Sequence, residues 1–495
     1  MQIKGQAKIE LFHALTGMQT DCIEETNLVT DYVKNIINPP QMAREFAYYE
    51  SSTQSLNAYQ QVYRKKIDVD LMYSSDLITN YFSGLLLFRE KLEESKDHIA
   101  MTVGDVVCAA ACETTSMANL ELGTLNANET ADVTDSNGKV IGKRFVWDFG
   151  TDRANGQIAA MSLVSPACEH RLYGPSGGGD GSFLTMYGYY YGAPAYRNGY
   201  LVNAGVDSIT TIGSPLKQKE DQSVLSLVYE TETRKLKIYQ NTYDYSKVSL
   251  GKSNHDTAGR TYTLLKEVQL TSSAITTNLY VTQTVGDTLY VMTTASVYLS
   301  NGNYAKLNLH MVNLSTFELT EQLGITLPVP WYSWGDFLIL EQDVFYTAGK
   351  YGSYNKVVLV HTTLQNLADH TVIMEEDTLG NCKLNYYKGL VYLACYSSYT
   401  ASSRFGILYP DSLKIVHWGS NFSLSSSYNS SSVFRMVPSD YLKPPFVLYQ
   451  IGSETNCYMG TFALCLSTIN NLASPVIKTA DKTMKITYTI KEISE

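Results

Sequence analysis

Chemistry at an enzyme site needs a few residue types at tight spacings, and this chain offers few of them. Its eight histidines, His13, His98, His170, His255, His310, His361, His370 and His417, are widely separated. None forms the His-Glu-x-x-His or His-x-His pair that grips zinc. No Walker sequence is present. Cys108-x-x-x-Cys112 is the closest cysteine pair, and it lacks a second pair or a nearby histidine to complete a metal site. The acidic run Glu375-Glu376-Asp377 adjoins a turn and reads as solvated surface. A glycosidase needs two carboxylates converging in a cleft, and spacing along a chain does not show convergence.

Aromatic residues are the stronger signal. Trp331, Tyr332 and Trp334 follow Pro328 and Pro330, Tyr351 and Tyr354 bracket a short turn, and Tyr396 and Tyr399 occupy the corresponding turn one unit later. Flat aromatic faces in turns can meet a sugar or a protein partner, and tyrosine adds a hydroxyl at little rotamer cost. Trp331 and Trp334 equally fit the role of core filling. These seven residues are the candidate ligand-binding set, with no catalytic residue, metal or cofactor expected.

The elements that would carry them are strands. The 495 residues are 44 % hydrophobic but only 17 % charged, and 38 are tyrosine. Such a chain suits β-structure and turns and excludes coiled coil, disorder and collagen. The net charge of −10, with no long basic run, argues against nucleic-acid binding. The start, MQIKGQAKIELF, lacks the apolar core of a secretory leader, and Gly84–Phe88 is too short to span a bilayer, so neither export nor membrane insertion is expected. The eight cysteines then read as buried thiols, and the glycosylation-type triplets at Asn128, Asn313, Asn421 and Asn429 as chance.

Four regions are expected. Residues 1–172 read as a small α+β domain, with alternating strands, a short helix over Leu28–Ile37 capped by Thr26 or Asn27, and an Asn137-Gly138 hairpin turn. Residues 173–182 are Gly-rich and lack the flanking strand, helix and lysine of a phosphate loop, so they read as a linker. Across 183–467, strand-like runs bearing Tyr229, Tyr290, Tyr346, Tyr392 and Leu448 recur at intervals of 61, 56, 46 and 56 residues. Three or four strands per unit of that length predict a β-propeller of about five to seven blades, with the Tyr-rich 183–200 stretch able to supply one; a stack of β-sandwiches is the competing fold. Residues 468–495 alternate as a strand from Lys482 to Thr489 and are expected to return to the N-terminal domain.

Three stretches carry a family resemblance. They are Ile3-Lys4-Gly5 through Glu25-Thr26-Asn27-Leu28-Val29-Thr30; Asn126-Ala127-Asn128-Glu129 leading to Val146-Trp147-Asp148-Phe149-Gly150-Thr151-Asp152-Arg153-Ala154-Asn155-Gly156-Gln157-Ile158; and Ile469 through Thr489. Together they resemble propeller-bearing tail proteins of phages and prophages of Gram-positive bacteria. The resemblance implies a virion tail protein assembled in the host cytoplasm. Its N-terminal domain would attach to other tail proteins, it would form homo-oligomers, and its propeller would bind a cell-surface glycan or protein receptor without chemistry. Two alternatives stand beside that reading. One is a tail-associated glycan hydrolase, which paired carboxylates about 5–10 Å apart at the propeller mouth would favour. The other is a purely architectural tail or baseplate hub.

Overall fold

The computed structural model describes residues 2–37, 82, 84–97, 106–111, 122–164, 209–243, 260–271, 280–294, 306–326, 333–340, 344–351, 356–366, 369–376, 381–387, 390–396, 403–411, 413–422, 434–443, 446–451, 456–461 and 466–493. The chain divides into two compact units, one made from its two ends and one from Val202–Gly460. The proposed linker and the Tyr-rich stretch after it lie outside the described residues.

The first unit begins with a hairpin of β1 (Gln2–His13) and β2 (Gln19–Val29), turned at Gly17 with φ of 66°. A single helix, α1 (Asp31–Ile37), follows. The helix starts later than expected because Thr26–Val29 stay in β2, where Leu28 and Val29 pair with Ile469 and Thr468. Thr30 takes the cap position and spends its hydroxyl on the Leu466 carbonyl, 2.7 Å away. Next come β3 (Gly84–Phe88), β4 (Val106–Ala111), β5 (Leu122–Leu125), β6 (Ala131–Thr134), β7 (Val140–Phe149) and β8 (Gly156–Val164). The β6–β7 turn uses Gly138 at φ 78°, with Asp135 accepting from the amides of Asn137 and Lys139. Among the described residues the helical part of this unit is that one seven-residue helix.

The chain then builds the second unit. A short strand, β9 (Ile209–Thr210), precedes the first blade: β10 (Ser214–Gln218), β11 (Val224–Glu230), β12 (Lys235–Tyr243) and β13 (Arg260–Gln269). Blade two is β14 (Tyr280–Val285), β15 (Thr288–Thr294), β16 (Lys306–Asn313) and β17 (Leu319–Thr326). Blade three is β18 (Ser333–Ile339), β19 (Val344–Tyr351), β20 (Lys356–Thr363) and β21 (Thr371–Glu376). Blade four is β22 (Asn381–Tyr387), β23 (Leu390–Tyr396), β24 (Ser403–Tyr409) and β25 (Lys414–Phe422). Blade five is β26 (Phe434–Val437), β27 (Phe446–Ile451) and β28 (Asn456–Thr461), and β9 completes it by pairing with β28.

The result is a β-propeller with five four-stranded sheets among the described residues. The first strand closes the last blade, which ties the two ends of the repeat together. The apolar cores lie between blades. Leu227, Leu236 and Ile238 of blade one pack with Leu289, Val291 and Val312 of blade two. Met292 and Leu309 meet Phe337 and Val358 of blade three, whose Leu338 and Leu359 meet Leu384, Leu393 and Leu408 of blade four. The recurring tyrosine runs are the second strands, and Tyr229 and Tyr290 are half-buried against these clusters.

The last two strands, β29 (Thr468–Lys478) and β30 (Lys482–Ile493), return to the first unit. β30 pairs with β1 from Gln2↔Ile493 to His13↔Lys482 and with β7 on its other edge, while β29 lies between β2 and β8. These pairings close a nine-stranded barrel, to which β6 is appended. Strict alternation fills it: Met484, Ile486, Tyr488 and Ile490 of β30 point inward with Ala7, Ile9 and Leu11 of β1. Phe145, Trp147 and Phe149 of β7 join them, the first two stacked with ring centres 5.5 Å apart. The Tyr488 hydroxyl donates to Thr468, which also accepts from the Leu163 amide. Gly142 allows the close β7–β30 approach, since a Cβ there would sit 2.1 Å from the Ile490 carbonyl oxygen. No helix among the described residues is long and apolar enough to cross a membrane.

The fully buried Ile486, flanked by Ile9 and Trp147, makes a clean probe of the closure. Ile486→Ala is expected to cost about 2–5 kcal/mol in the barrel's urea transition while the propeller transition stays put.

Candidate functional site

The inner strands β10, β14, β18, β22 and β26 line the propeller's axis, and they are more polar than the strands outside them. Tyr280–Val285 reads YVTQTV and Ser333–Ile339 reads SWGDFLI. Between them lies a cavity of about 300 Å³, bordered by Thr282, Thr284, Leu338, Asn385, Arg435 and Leu448 among others.

One ion pair crosses this channel. Arg435 of β26 donates from Nη2 to Asp336 Oδ1 of β18 at 2.6 Å and from Nη1 to the Thr282 carbonyl of β14. Asp336 is fully buried, and its other oxygen accepts from the Leu384 amide of β22 at 2.9 Å. A buried carboxylate is tolerable only when paired and hydrogen-bonded in this way. Further struts join neighbouring blades. Gln283 exchanges both amide bonds with the Ile339 backbone, and Asn385 accepts from the Met436 amide.

A second cation sits where the inner strands end. Lys217 of β10, 9 % exposed in its side chain, donates to Asp287 Oδ1 at 3.0 Å, Asp440 Oδ2 at 2.9 Å and the Gly286 carbonyl at 3.1 Å. The two carboxylate oxygens therefore lie no farther apart than those two ion-pair lengths together. Both side chains are open to solvent, at 62 % and 44 %. Burial alone would push the Lys217 ammonium down, but its bonds to Asp440 and Asp287 carry it above its ordinary value. The hydrogen bond from Lys217 holds the Asp287 carboxyl below its usual range. Blade one meets blade five here as well: the Gln218 amide donates to the Pro438 carbonyl and the Asp440 amide to the Gln218 carbonyl.

The aromatic candidates fall at the other end. Trp334 is the second residue of β18 and pairs with Gly349. Tyr351 ends β19, opposite Lys356. Tyr396 ends β23, opposite Asn381, the first residue of β22. All three strand positions belong to the end of blades three and four where the inner strands begin. Trp331, Tyr332, Tyr354 and Tyr399 lie outside the described residues. Sequence reasoning missed Lys217, Asp287, Asp336, Arg435 and Asp440, because nothing in the chain marks which distant residues meet on an axis.

A third cluster imitates catalytic geometry. Thr293 Oγ1 lies 3.2 Å from His310 Nε2, and His310 Nδ1 lies 2.8 Å from Glu321 Oε1. Thr293 and His310 are buried between β15, β16 and β17, out of reach of a substrate, so the trio fastens blade two. Among the described residues no cluster of His, Cys, Asp or Glu could hold a metal ion.

No family model matches the chain, and no curated protein does. Solved structures similar to it include an endo-arabinase from Bacteroides thetaiotaomicron (8 % identity, 52 % of this chain and 95 % of that one, TM-score 0.31). Another is an exo-β-1,3-galactanase from Phanerochaete chrysosporium (10 %, 51 % and 63 %, TM-score 0.30). A third is the β-propeller domain of the Trilobed protease from Pyrococcus furiosus (12 %, 36 % and 55 %, TM-score 0.21). At these scores the likeness fixes no activity for this chain. It does correct one expectation, that the chain is not an enzyme: glycoside hydrolases recur among the similar structures, so a propeller pattern does not favour binding over catalysis.

Arg435→Met should strip the buried Asp336 of its guanidinium partner and cost about 3–5 kcal/mol of propeller stability, much of it recovered in the Asp336→Leu/Arg435→Met double variant. Denaturant melts of the three variants check this. Burial pushes the His310 imidazole below its ordinary value of 6.5. Its contribution is therefore complete above that value and is lost as pH falls through the folded one. The thermal midpoint of the propeller is expected to drop on acidification below pH 6.5, with a shallower slope in His310→Gln.

Proposed function

We propose that this chain is a phage tail protein whose propeller acts on the surface glycan of a Gram-positive host, as a tail-associated glycan hydrolase. The tail setting rests on the terminal stretches that resemble that family. One observation carries the chemistry: Asp287 and Asp440, brought from blades two and five, share Lys217 at the mouth of the channel. Their oxygens lie no farther apart than the two ion-pair lengths together, which reaches only the lower end of the roughly 5–10 Å range in which paired glycosidase carboxyls work. Asp287, kept anionic by Lys217, suits the nucleophile or charge-stabilising role, with Asp440 as the second carboxyl of the pair.

A specific observation also favours a second reading, recognition of a glycan or protein receptor. Lys217 already neutralises both carboxylates, and Trp334, Tyr351 and Tyr396 share the opposite end of the blades.

Purified protein incubated with host cell-wall polysaccharide is expected to release reducing ends. Asp440→Asn should slow release by about a hundredfold or more while the variant still sediments with walls. No release above a heat-treated control would overturn hydrolysis. Sedimentation without release would leave recognition standing.

A further inference from the structure

The barrel's closure is thin along one seam. β2 pairs with β1 from Gly5↔Asn27 to Phe12↔Gln19, but with β29 only through Leu28↔Ile469 and Val29↔Thr468. Beyond Asn471, β29 bulges. Its register on β8 jumps from Asn471↔Ala160 to Val476↔Ile158, and Ala473, Ser474 and Pro475 stand exposed. β2 runs on without it, so residues 19–24 have no strand partner on this side among the described residues.

Alternation tells which backbone groups are left over. The Thr30 amide donates to the Ser467 carbonyl, on the β29 side. Backbone groups along a strand point to its two neighbours in turn, and the β1–β2 register is regular from Asn27 to Asp21. Leu28, Thr26, Glu24 and Cys22 therefore turn the same way as Thr30. Leu28 finds Ile469, whereas Thr26, Glu24 and Cys22 are exposed and meet no backbone partner there among the described residues.

An uncovered edge is a template for another strand, and proteins that leave one idle blunt it with lysine, proline or a covering element. β2 carries no lysine, arginine or proline, but it carries Asp21, Glu24 and Glu25. Lys482 answers Asp21 at 3.3 Å. Lys8, opposite Glu24, is held by Glu10 at 2.7 Å. Glu24 and Glu25 accept from neutral donors, the Gln6 side-chain amide and the Ala473 backbone amide. The turn leading into the strand exposes Leu15 at 92 % and Met18 at 68 %. A second copy of β2 would bring the same carboxylates against this edge, and a basic strand would match them.

We propose that the β2 edge docks an extended, lysine- or arginine-bearing segment of another protein, which adds as a strand beside Cys22, Glu24 and Thr26 and sets an apolar residue against Leu15 and Met18. Docking at β2 is independent of any chemistry in the propeller.

Fluorescence anisotropy with three labelled peptides tests this: KVKVTVKL, its glutamate counterpart EVEVTVEL, and KVKVTVKL with alternate amides N-methylated so that it cannot pair. The first is expected to bind saturably, about tenfold or more tighter than either control, and to slow hydrogen exchange at the Cys22 and Glu24 amides. Glu24→Pro removes an outward N–H without touching the β1 ladder, and should weaken the binding about tenfold. If Glu24→Pro does not fold, the N-methylated peptide and exchange at Cys22 decide the matter. No saturable binding of KVKVTVKL overturns the docking, and equal binding of the N-methylated peptide reduces it to charge attraction and overturns strand addition. Self-association in sedimentation that Glu24→Pro abolishes assigns the edge to a second copy and overturns the basic partner.

Discussion

The Arg435–Asp336 pair sets the terms for the propeller. A guanidinium and a carboxylate taken out of water at the axis must be matched almost atom for atom, or the desolvation cost defeats folding. The match here comes from four blades: the arginine from the fifth, a carbonyl from the second, the carboxylate from the third and an amide from the fourth. Lys217 brings in the remaining blade and ties it to the second and fifth. Two cations therefore fix the relative register of all five inner strands, while apolar packing, which has no direction of its own, fills the space between sheets.

That division explains what could be read from the chain. The second strands were legible because both of their faces meet neighbouring blades, giving dense runs such as Val224–Val228 and Leu289–Met292. The inner strands were not, because a strand facing a polar channel carries Thr282, Gln283 and Thr284 and looks like a loop. The paired carboxylates were out of reach for a different reason. Lys217 lies 70 residues from Asp287, and the blades between Asp287 and Asp440 must form before the two meet. The aromatic turn residues were visible as composition, and the strand register then showed that Trp334, Tyr351 and Tyr396 belong to one end of the blades.

The barrel shows the same contrast on a smaller scale. The alternation of Lys482–Thr489 foretold a returning strand, and its register with β1 runs without a break. Closure into a barrel left no such mark. It depends on the short β5, which joins β4 in parallel and β7 antiparallel through only two residue pairs each. The abundance of tyrosine likewise separates by position: Tyr488 is buried in the barrel and Tyr229 half-buried between blades, each spending its ring on packing.

One feature of the connectivity bears on mechanics. The chain leaves the barrel after β8 and re-enters at β29, and these strands are hydrogen-bonded neighbours, with the Ser467 amide bonded to the Leu163 carbonyl. A pull on the propeller is thus shared by two adjacent strands, each flanked by a further partner, β3 for β8 and β2 for β29. Neither strand is a free chain end that can peel away one bond at a time.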